Sequence, residues 1–398
     1  MTSCPVCSGI DLVDTIERAR LPAMQNYVYR SRESALAAPY GRFVLAVCRS
    51  CGFAWNREFD PRLIVYDEGY DNAVASTVMQ SYYAEIVNFL AARYPLLDGL
   101  VVDVGCGDGR FLRALCGAVA GCRGLGLDPA LQRDRLECDG RVTLLKAAFS
   151  ADAIVERPTL VVSRHVLEHI PQPVAFLQEI GGALTDVGSC PCFFEVPDLT
   201  WIVEHGAFWD FSYEHCNYFT KESFAEALWH AGLAPAGVRA AFGSQYLWLE
   251  ADSSAAPMLS RSRGGVDLAE QMREHAVADS RRIDAMRRRL LQLRRSGSAI
   301  AVWGMATKGV LFSILLDPDH SLIDHCVDAN ENKQGCFVPL TGHRIDAPRN
   351  LVSRADDRPL AIVVMNENYR REIESTCAAM GLQASYLRLD DASVELAG

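Results

Sequence analysis

Asp103, Gly105, Gly107 and Gly109 alternate along the chain directly behind the apolar run Leu100–Val101–Val102. Glycine has no side chain to hold a ligand off, so a turn built this way lets a ligand reach backbone N–H groups. The apolar run reads as a buried parallel strand, and residues 110–115 as the start of a helix. Strand, loop and helix in that order open a ligand site at the carboxyl end of the first strand of a doubly wound sheet. The next apolar stretch, Gly124–Leu125–Gly126–Leu127, ends in Asp128. An acid at the end of the second strand is where the ribose hydroxyls of a nucleoside are held.

Two cofactor classes share this layout, and the glycine spacing separates them. The dinucleotide fingerprint is G-x-G-x-x-G, whereas this loop reads D-x-G-x-G-x-G. That form resembles the first motif of class I methyltransferases dependent on S-adenosylmethionine (SAM). Ser163–Arg164–His165–Val166–Leu167–Glu168–His169–Ile170 resembles the same family at the end of its fourth strand. The resemblance implies a SAM site in which the loop from Asp103 to Gly109 backs the methionine portion, Asp128 holds the ribose, and His165 borders the pocket. Phe149, after the third strand, either flanks the adenine or belongs to the core.

A second set of residues speaks of metal. Cys4–Pro5–Val6–Cys7 and Cys48–Arg49–Ser50–Cys51 are two C-x-x-C knuckles. Each aims two thiolates at one point, and together they complete a tetrahedral zinc site with protein at all four positions, which makes it structural. The 40 residues between the knuckles exceed the usual zinc-ribbon spacing, so a sub-domain is expected inside that loop. Residues 1–75 are read as a separate zinc-binding module.

A third set lies in Ala207–Phe208–Trp209–Asp210–Phe211–Ser212–Tyr213–Glu214–His215–Cys216–Asn217–Tyr218–Phe219–Thr220. Aromatics packed around Tyr213, Glu214 and His215 suggest a desolvated pocket, where acid and base strengths are tuned. The segment follows Phe193–Phe194–Glu195–Val196–Pro197, a strand with a proline stop, and so lies beyond a carboxyl strand end, where ligands bind.

These residues need elements to position them. A helix is expected over 76–95, with Val78, Tyr82, Ile86 and Phe89 on its apolar face. Strands are expected at 100–104, 124–127, 142–146, 160–163, 191–196 and 246–250, with helices at 172–184 and 221–232. That alternation is α/β and sets a methyltransferase-like domain at 76–260. A polar helix follows within a linker over 261–297, its apolar stripe formed by Ile283, Met286, Leu290 and Leu293. Its arginines (Arg281, Arg282, Arg287, Arg288, Arg289, Arg294 and Arg295) either meet a phosphate or form a solvated face. A second Rossmann-like unit is expected over 298–398, with strands at 299–303, near 327–328 and at 360–364. Its loop carries Gly304, Lys308 and Gly309, which either hold an anion at a helix N-terminus or make a tight turn with a solvent lysine.

Taken together, the chain resembles the three-part C-methyltransferases that act on nucleotide-linked keto-deoxysugars. These combine a zinc module, a SAM domain and a C-terminal Rossmann-like domain. The match rests on the knuckles, the SAM loop, Tyr213–Glu214–His215, the Gly304–Lys308–Gly309 loop and Val327–Asp328–Ala329–Asn330–Glu331–Asn332–Lys333–Gln334–Gly335. The resemblance implies His215 as general base; in the chemistry of proton removal beside a ketone, Glu214 would orient that base or bind the acceptor and Tyr213 would donate to the developing oxyanion. The second Rossmann-like unit lacks a dinucleotide fingerprint yet keeps its glycine–lysine loop, and clefts between domains favour ligands, so Gly304, Lys308, Asn330 and Lys333 are expected to line an acceptor cleft between the SAM domain and the C-terminal domain. The family's Tyr-His-Glu-His stretch reads Ser212–Tyr213–Glu214–His215 here, and its Gly-Gly-Ser-x-Arg stretch reads Gly243–Ser244–Gln245–Tyr246. An O- or N-methyltransferase on a small metabolite stays open at this point. So does a zinc-containing nucleic-acid-binding scaffold without methyl transfer.

Composition bounds the rest. With 398 residues, 49% of them hydrophobic and 22% charged, the chain is globular and long enough for two or three domains. A net charge of −11 speaks against nonspecific nucleic-acid binding. No apolar run of spanning length occurs and Met1–Thr2–Ser3–Cys4 opens no signal-peptide pattern, so no membrane association and a cytoplasmic location are expected. In that setting the 14 cysteines read as reduced thiols and metal ligands. The acceptor, the methylated atom and the oligomeric state are not specified by these residues.

Overall fold

The structure is a computed structural model describing residues 2–72, 76–253, 265–354 and 358–389. The expected domain boundaries at 75/76 and 260/261 fall at or inside undescribed residues. The N-terminal part contains β1 (Leu12–Pro22), α1 (Arg32–Leu36), β2 (Tyr40–Cys48) and β3 (Ala54–Asn56). The middle part contains α2 (Thr77–Arg93), β4 (Leu100–Val104), α3 (Arg110–Ala118), β5 (Arg123–Leu127), β6 (Arg135–Glu137), β7 (Val142–Leu145), β8 (Leu160–Arg164), α4 (Pro173–Val187), β9 (Pro191–Pro197), α5 (Leu199–Glu204), β10 (Asn217–Tyr218), α6 (Lys221–His230), β11 (Ala234–Ala241) and β12 (Tyr246–Asp252). The C-terminal part contains α7 (Gly265–Arg295), β13 (Ala299–Trp303), α8 (Thr307–Leu316), β14 (His325–Val327), β15 (Ile345–Asp346), α9 (Asn350–Arg354), β16 (Leu360–Val364), α10 (Arg370–Ala379) and β17 (Ala384–Leu387).

The middle sheet runs β11-β12-β9-β8-β4-β5-β7-β6. Strands β9, β8, β4, β5 and β7 are parallel, while β6, β12 and β11 are antiparallel additions at the two edges. Strand β4 is buried along its whole length, which is why it reads as a continuous apolar run. Strand order reverses between β4 and β8, so the crevice at their carboxyl ends is the ligand position of this fold. The C-terminal sheet, β15-β14-β13-β16-β17, is parallel throughout. This is the class I methyltransferase α/β architecture with a second Rossmann-like unit.

The N-terminal part shares a sheet and two cores with the rest of the chain. Its sheet, β1-β2-β3-β10, takes its last strand from the aromatic segment, with Asn217 opposite Trp55 and Tyr218 opposite Ala54. Phe53 and Trp55 join Leu100, Val102 and Phe194 in one core, while Phe43 and Leu45 share another with Met272, Leu290, Ile300 and Leu311. Met286 and Leu290 of the α7 stripe are fully buried. The α7 arginines divide between roles. Arg287 donates to the carbonyls of Leu315 and Leu316 and so caps the end of α8, a favourable place for a cation. Arg294 pairs with Asp324. No helix among the described residues is long and apolar enough to cross a membrane.

Candidate active site

Beyond β4 the chain turns on three glycines with left-handed backbones, Gly105 (φ 78°), Gly107 (φ 56°) and Gly109 (φ 79°). The three serve different ends. A Cβ on Gly105 would stand 2.2 Å from Val166 Cγ2, and one on Gly109 2.5 Å from Leu144 Cδ1. Gly105 therefore makes room for the segment after β8. A Cβ on Gly107 would meet nothing within 4 Å, so the open cradle is there. Asp128 is half-buried beside it. One carboxylate oxygen accepts the Gly107 N–H at 2.8 Å, and the other accepts the Ala130 N–H at 2.8 Å. The acid thus holds the glycine loop in shape, and each oxygen keeps a lone pair for a ribose hydroxyl. Cradle and acid fit a SAM nucleoside. Asp103 is buried beneath, and burial lifts its carboxyl from the ordinary value to about 7 against the pull of Arg164. Phe149 stands edge-on to Phe176, with ring centres 6.1 Å apart, packed against the core.

Val166 presses the next segment against this loop. His165 has a left-handed backbone, φ 55°, costly for a non-glycine residue and most often found where function fixes it. Its Nε2 lies 2.6 Å from Glu195 Oε1 and its Nδ1 3.3 Å from Glu168 Oε1. Burial opposes charge on this ring, but the two carboxylates outweigh it and raise its pKa to about 9. Glu195, fully buried on β9, also accepts from Arg164, Tyr82 and Trp248. Burial would push this carboxyl up, yet Arg164 and His165 hold it down at about 2. Glu195 and Arg164 were not foreseen as site residues. The signal was a glutamate inside an otherwise apolar strand.

Next to this network, His169 and His215 meet edge to face, with ring centres 4.9 Å apart. His169 Nδ1 lies 3.1 Å from the Tyr66 hydroxyl and 3.2 Å from the carbonyl oxygen of Glu214. A carbonyl only accepts, so Nδ1 carries a proton. The Glu214 carboxylate is buried. It accepts the Gln25 N–H at 3.2 Å and stands 3.8 Å from His169 Nδ1. Burial and the neighbouring His169 lower the pKa of His215 to about 3, which keeps its imidazole neutral. Tyr66 packs edge-on against Tyr70 at 5.0 Å. Both come from the N-terminal part, and sequence reasoning passed over them.

Tyr213 packs against Gly41 and Phe59. Its ring lies flat on Gly41, where a Cβ would come within 2.2 Å of Cε2. Its hydroxyl accepts the Asp60 N–H at 2.8 Å and donates to the Glu58 carbonyl at 3.4 Å. Tyr66 takes the place beside the histidines.

The C-terminal loop repeats the first. Asp328, just after β14, accepts the Met305 N–H at 2.7 Å on one oxygen and the Asn330 N–H at 2.8 Å on the other. Asp128 does the same after β5. Gly304 has φ 109°, and a Cβ on Gly309 would fall 2.2 Å from the Gly304 carbonyl oxygen, so this glycine pair serves a tight turn. Lys308 is not a free cation. Its Nζ lies 2.7 and 2.5 Å from the two Asp210 oxygens and over the Trp201 ring. Asn330 donates to Asp71, and the buried Lys333 donates to Asn26 Oδ1 and the Met305 carbonyl. The expected cleft between SAM domain and C-terminal domain therefore has a third wall. Gln25 of the N-terminal part meets Glu214, Tyr66 meets His169, and Asn26 and Asp71 meet Lys333 and Asn330.

At the far side of that part, Cys4 Sγ lies 3.6 Å from Cys51 Sγ and Cys7 Sγ 3.5 Å from Cys48 Sγ. All four sulfurs fall within 4.8 Å of one another. Zinc–sulfur bonds of about 2.3 Å set the edges of a tetrahedron at roughly 3.8 Å, so the tetrad fits a zinc ion with little adjustment.

Comparison with known proteins gives two family matches. Residues 77–236 match a methyltransferase domain, and residues 261–385 match a C-methyltransferase C-terminal domain. Comparison with curated protein sequences gave no match. Among solved structures, the chain is similar to the magnesium protoporphyrin IX methyltransferase of Synechocystis PCC 6803 with bound S-adenosylhomocysteine. Identity is 17%, coverage 46% of this chain and 90% of that one, and the TM-score 0.35. It is also similar to the 1,6-didemethyltoxoflavin-N1-methyltransferase of Burkholderia thailandensis, at 18% identity, 45% and 79% coverage and TM-score 0.32. A SAM-dependent methyltransferase from Mesorhizobium loti gives 14% identity, 44% and 100% coverage and TM-score 0.33. At these scores the structures carry no argument beyond the family matches.

Proposed function

We propose that the chain, a SAM-dependent methyltransferase by its matched domains, methylates carbon, on a position beside the ketone of a nucleotide-linked sugar. The match of residues 261–385 to a C-methyltransferase C-terminal domain carries this reading. Bound SAM supplies an electrophilic methyl group on a sulfonium and leaves as the thioether. The protein's part is to hold the acceptor, take a proton and steady a negative charge. His215 removes the proton on the carbon next to the carbonyl. The C–H electron pair moves into the enolate, whose carbon becomes the methyl acceptor. A neutral imidazole in a desolvated pocket is in the form that this step requires. Glu214, through its carbonyl, and Tyr66 hold the His169 ring, which faces the same space. Asp128, Gly107 and the loop from Asp103 to Gly109 hold the cofactor, bordered by His165 and with Phe149 at the adenine.

The acceptor's nucleotide end is assigned to the C-terminal loop around Gly304 and Asp328, which repeats the acid-and-loop arrangement of the cofactor site. Lys308, Asn330 and Lys333 act there by tying the loop to Asp210, Asp71 and Asn26. Zinc on Cys4, Cys7, Cys48 and Cys51 stabilises the N-terminal wall. The partner is a small molecule, with no role for nucleic acid or membrane. The test is incubation with methyl-labelled SAM and a panel of nucleotide-linked keto-sugars, followed by NMR of the product. A new C–CH3 signal is expected. An O–CH3 or N–CH3 signal overturns the carbon assignment.

A further inference from the structure

We propose that Glu168, His169 and His215 form a second metal site, for a divalent transition-metal ion, and that this ion and the methyl acceptor exclude each other. One donor atom from each residue lies within 4.8 Å of the other two. The Glu168 side chain is only 2% exposed. Its Oε1 faces His165, but its Oε2 is buried without a hydrogen-bond partner. An orphaned buried carboxylate oxygen is costly unless something fills the place beside it. His169 is already oriented as metal-bound histidines are. Its Nδ1 is engaged by the Glu214 carbonyl and the Tyr66 hydroxyl, which leaves Nε2 as ligand and supplies the outer partners that such sites require. Among the described residues the ring nitrogens of His215 find no hydrogen-bond partner.

Two imidazoles and a carboxylate suit zinc, cobalt, nickel or ferrous iron, whereas calcium and magnesium prefer oxygen ligands alone. A tetrahedral ion with N/O ligands at about 2.1 Å needs donors about 3.4 Å apart. The three donors, up to 4.8 Å apart, must close by roughly 1 Å, which the half-buried imidazoles reach by rotation. The four sulfurs of the tetrad are already near their bonding separation. The second ion is therefore held more weakly than the first and exchanges. Three protein ligands leave positions open to solvent. The lone pair that binds the ion cannot also take a proton, so the loaded site has no free base at His215. That exclusion rests on the proposed base role, whereas binding of the ion does not.

Zinc-loaded protein is titrated with cobalt(II) chloride, followed by calorimetry and visible absorption. One further equivalent is expected, with ligand-field bands but no thiolate charge-transfer band. Glu168→Gln and His169→Asn should each abolish it, while both variants keep their zinc and the parent's circular dichroism, which shows them folded. Methyl transfer should fall as cobalt is added and recover with excess acceptor. Absence of the second equivalent overturns the site, as does a second equivalent that survives both substitutions. If cobalt binds as expected but the rate is undiminished, the exclusion and the base role of His215 fall together while the site stands.

Discussion

The Tyr213 hydroxyl accepts the backbone N–H of Asp60 across 2.8 Å, which ties the aromatic segment to the N-terminal part. The bond belongs to the seam between the N-terminal part and the aromatic segment. Tyr213→Phe should therefore cost about 1 kcal/mol of stability, the usual scale for one hydrogen bond, and leave kcat near the parent value. Tyr66→Phe should do the reverse, because its hydroxyl touches His169 Nδ1. Thermal unfolding and kcat measured on both variants decide the matter. A large loss of kcat in Tyr213→Phe alone would contradict this placement.

The parts of the fold with strong apolar patterns were legible. Strands β4, β13 and β16 are buried along their lengths and lie where their apolar runs stand. Strand β11, read Ala-Pro-Ala-Gly-Val-Arg-Ala-Ala, has little apolar pattern because most of it is exposed, and it was missed as the partner of β12. In the site, Asp128 and the glycine loop were legible because their spacing is local. The division of labour was not. Gly105 serves Val166 and Tyr213 serves Asp60, and both are long-range contacts that leave no mark in local spacing. Tyr66 and Tyr70 were invisible for the same reason, since Tyr66 meets His169 across 103 residues of chain and brings Tyr70 with it.

The two glycines of the cofactor loop should separate packing from binding. Gly105→Ala places a Cβ into Val166 on a left-handed backbone and should lower both stability and SAM affinity. Gly107→Ala carries the left-handed cost of about 1–2 kcal/mol but meets no atom, so its main effect should fall on SAM affinity. Asp128→Ala loses two bonds from backbone N–H groups to a carboxylate, each worth about 1.5–3 kcal/mol, and should weaken SAM binding at least tenfold. Asp128→Asn, which keeps one acceptor, should lose less. Calorimetry with SAM is the measurement, and parental affinity in Asp128→Ala would sink the site.

Metal analysis of the freshly purified protein should give about one zinc per chain. Cys48→Ser should lose it and unfold at lower temperature, since a structural zinc contributes directly to folding. Residual methyl transfer below that temperature should persist, because the tetrad belongs to the N-terminal wall and not to the acceptor pocket. Parental stability in a zinc-free Cys48→Ser protein would remove the structural role.

Asp103 gives a pH dependence with a definite sign. Its carboxyl titrates at about 7 in the folded chain because burial penalises its charge, against the ordinary 3.8 when unfolded. Between those values the folded state binds the extra proton, so stability falls as pH rises through the window and levels off above it. Asp103→Asn, which cannot ionise, should lack this fall. Without SAM, its urea midpoint should exceed the parent's at about pH 8 by more than at about pH 5. An equal difference at both would show that Asp103 does not titrate in this range.

The base itself is tested at His215. Proton removal by a positioned base contributes about 10²–10⁴-fold, so His215→Ala should lower kcat by that factor with SAM affinity unchanged. A histidine of ordinary pKa would give kcat/KM a limb rising through about pH 6.5. Burial and His169 hold His215 at about 3 instead, so its base form is already populated across the neutral range. Parent and variant profiles should therefore run parallel above about pH 5, offset by the lost factor. A rising limb near pH 6.5 that disappears in His215→Ala would show that the pocket is more hydrated than its packing implies. Parental kcat in the variant would move the base to another residue. His165 is a poor replacement, because Glu195 and Glu168 keep it protonated to about pH 9. His169, whose ring meets that of His215, would then be the group to replace next.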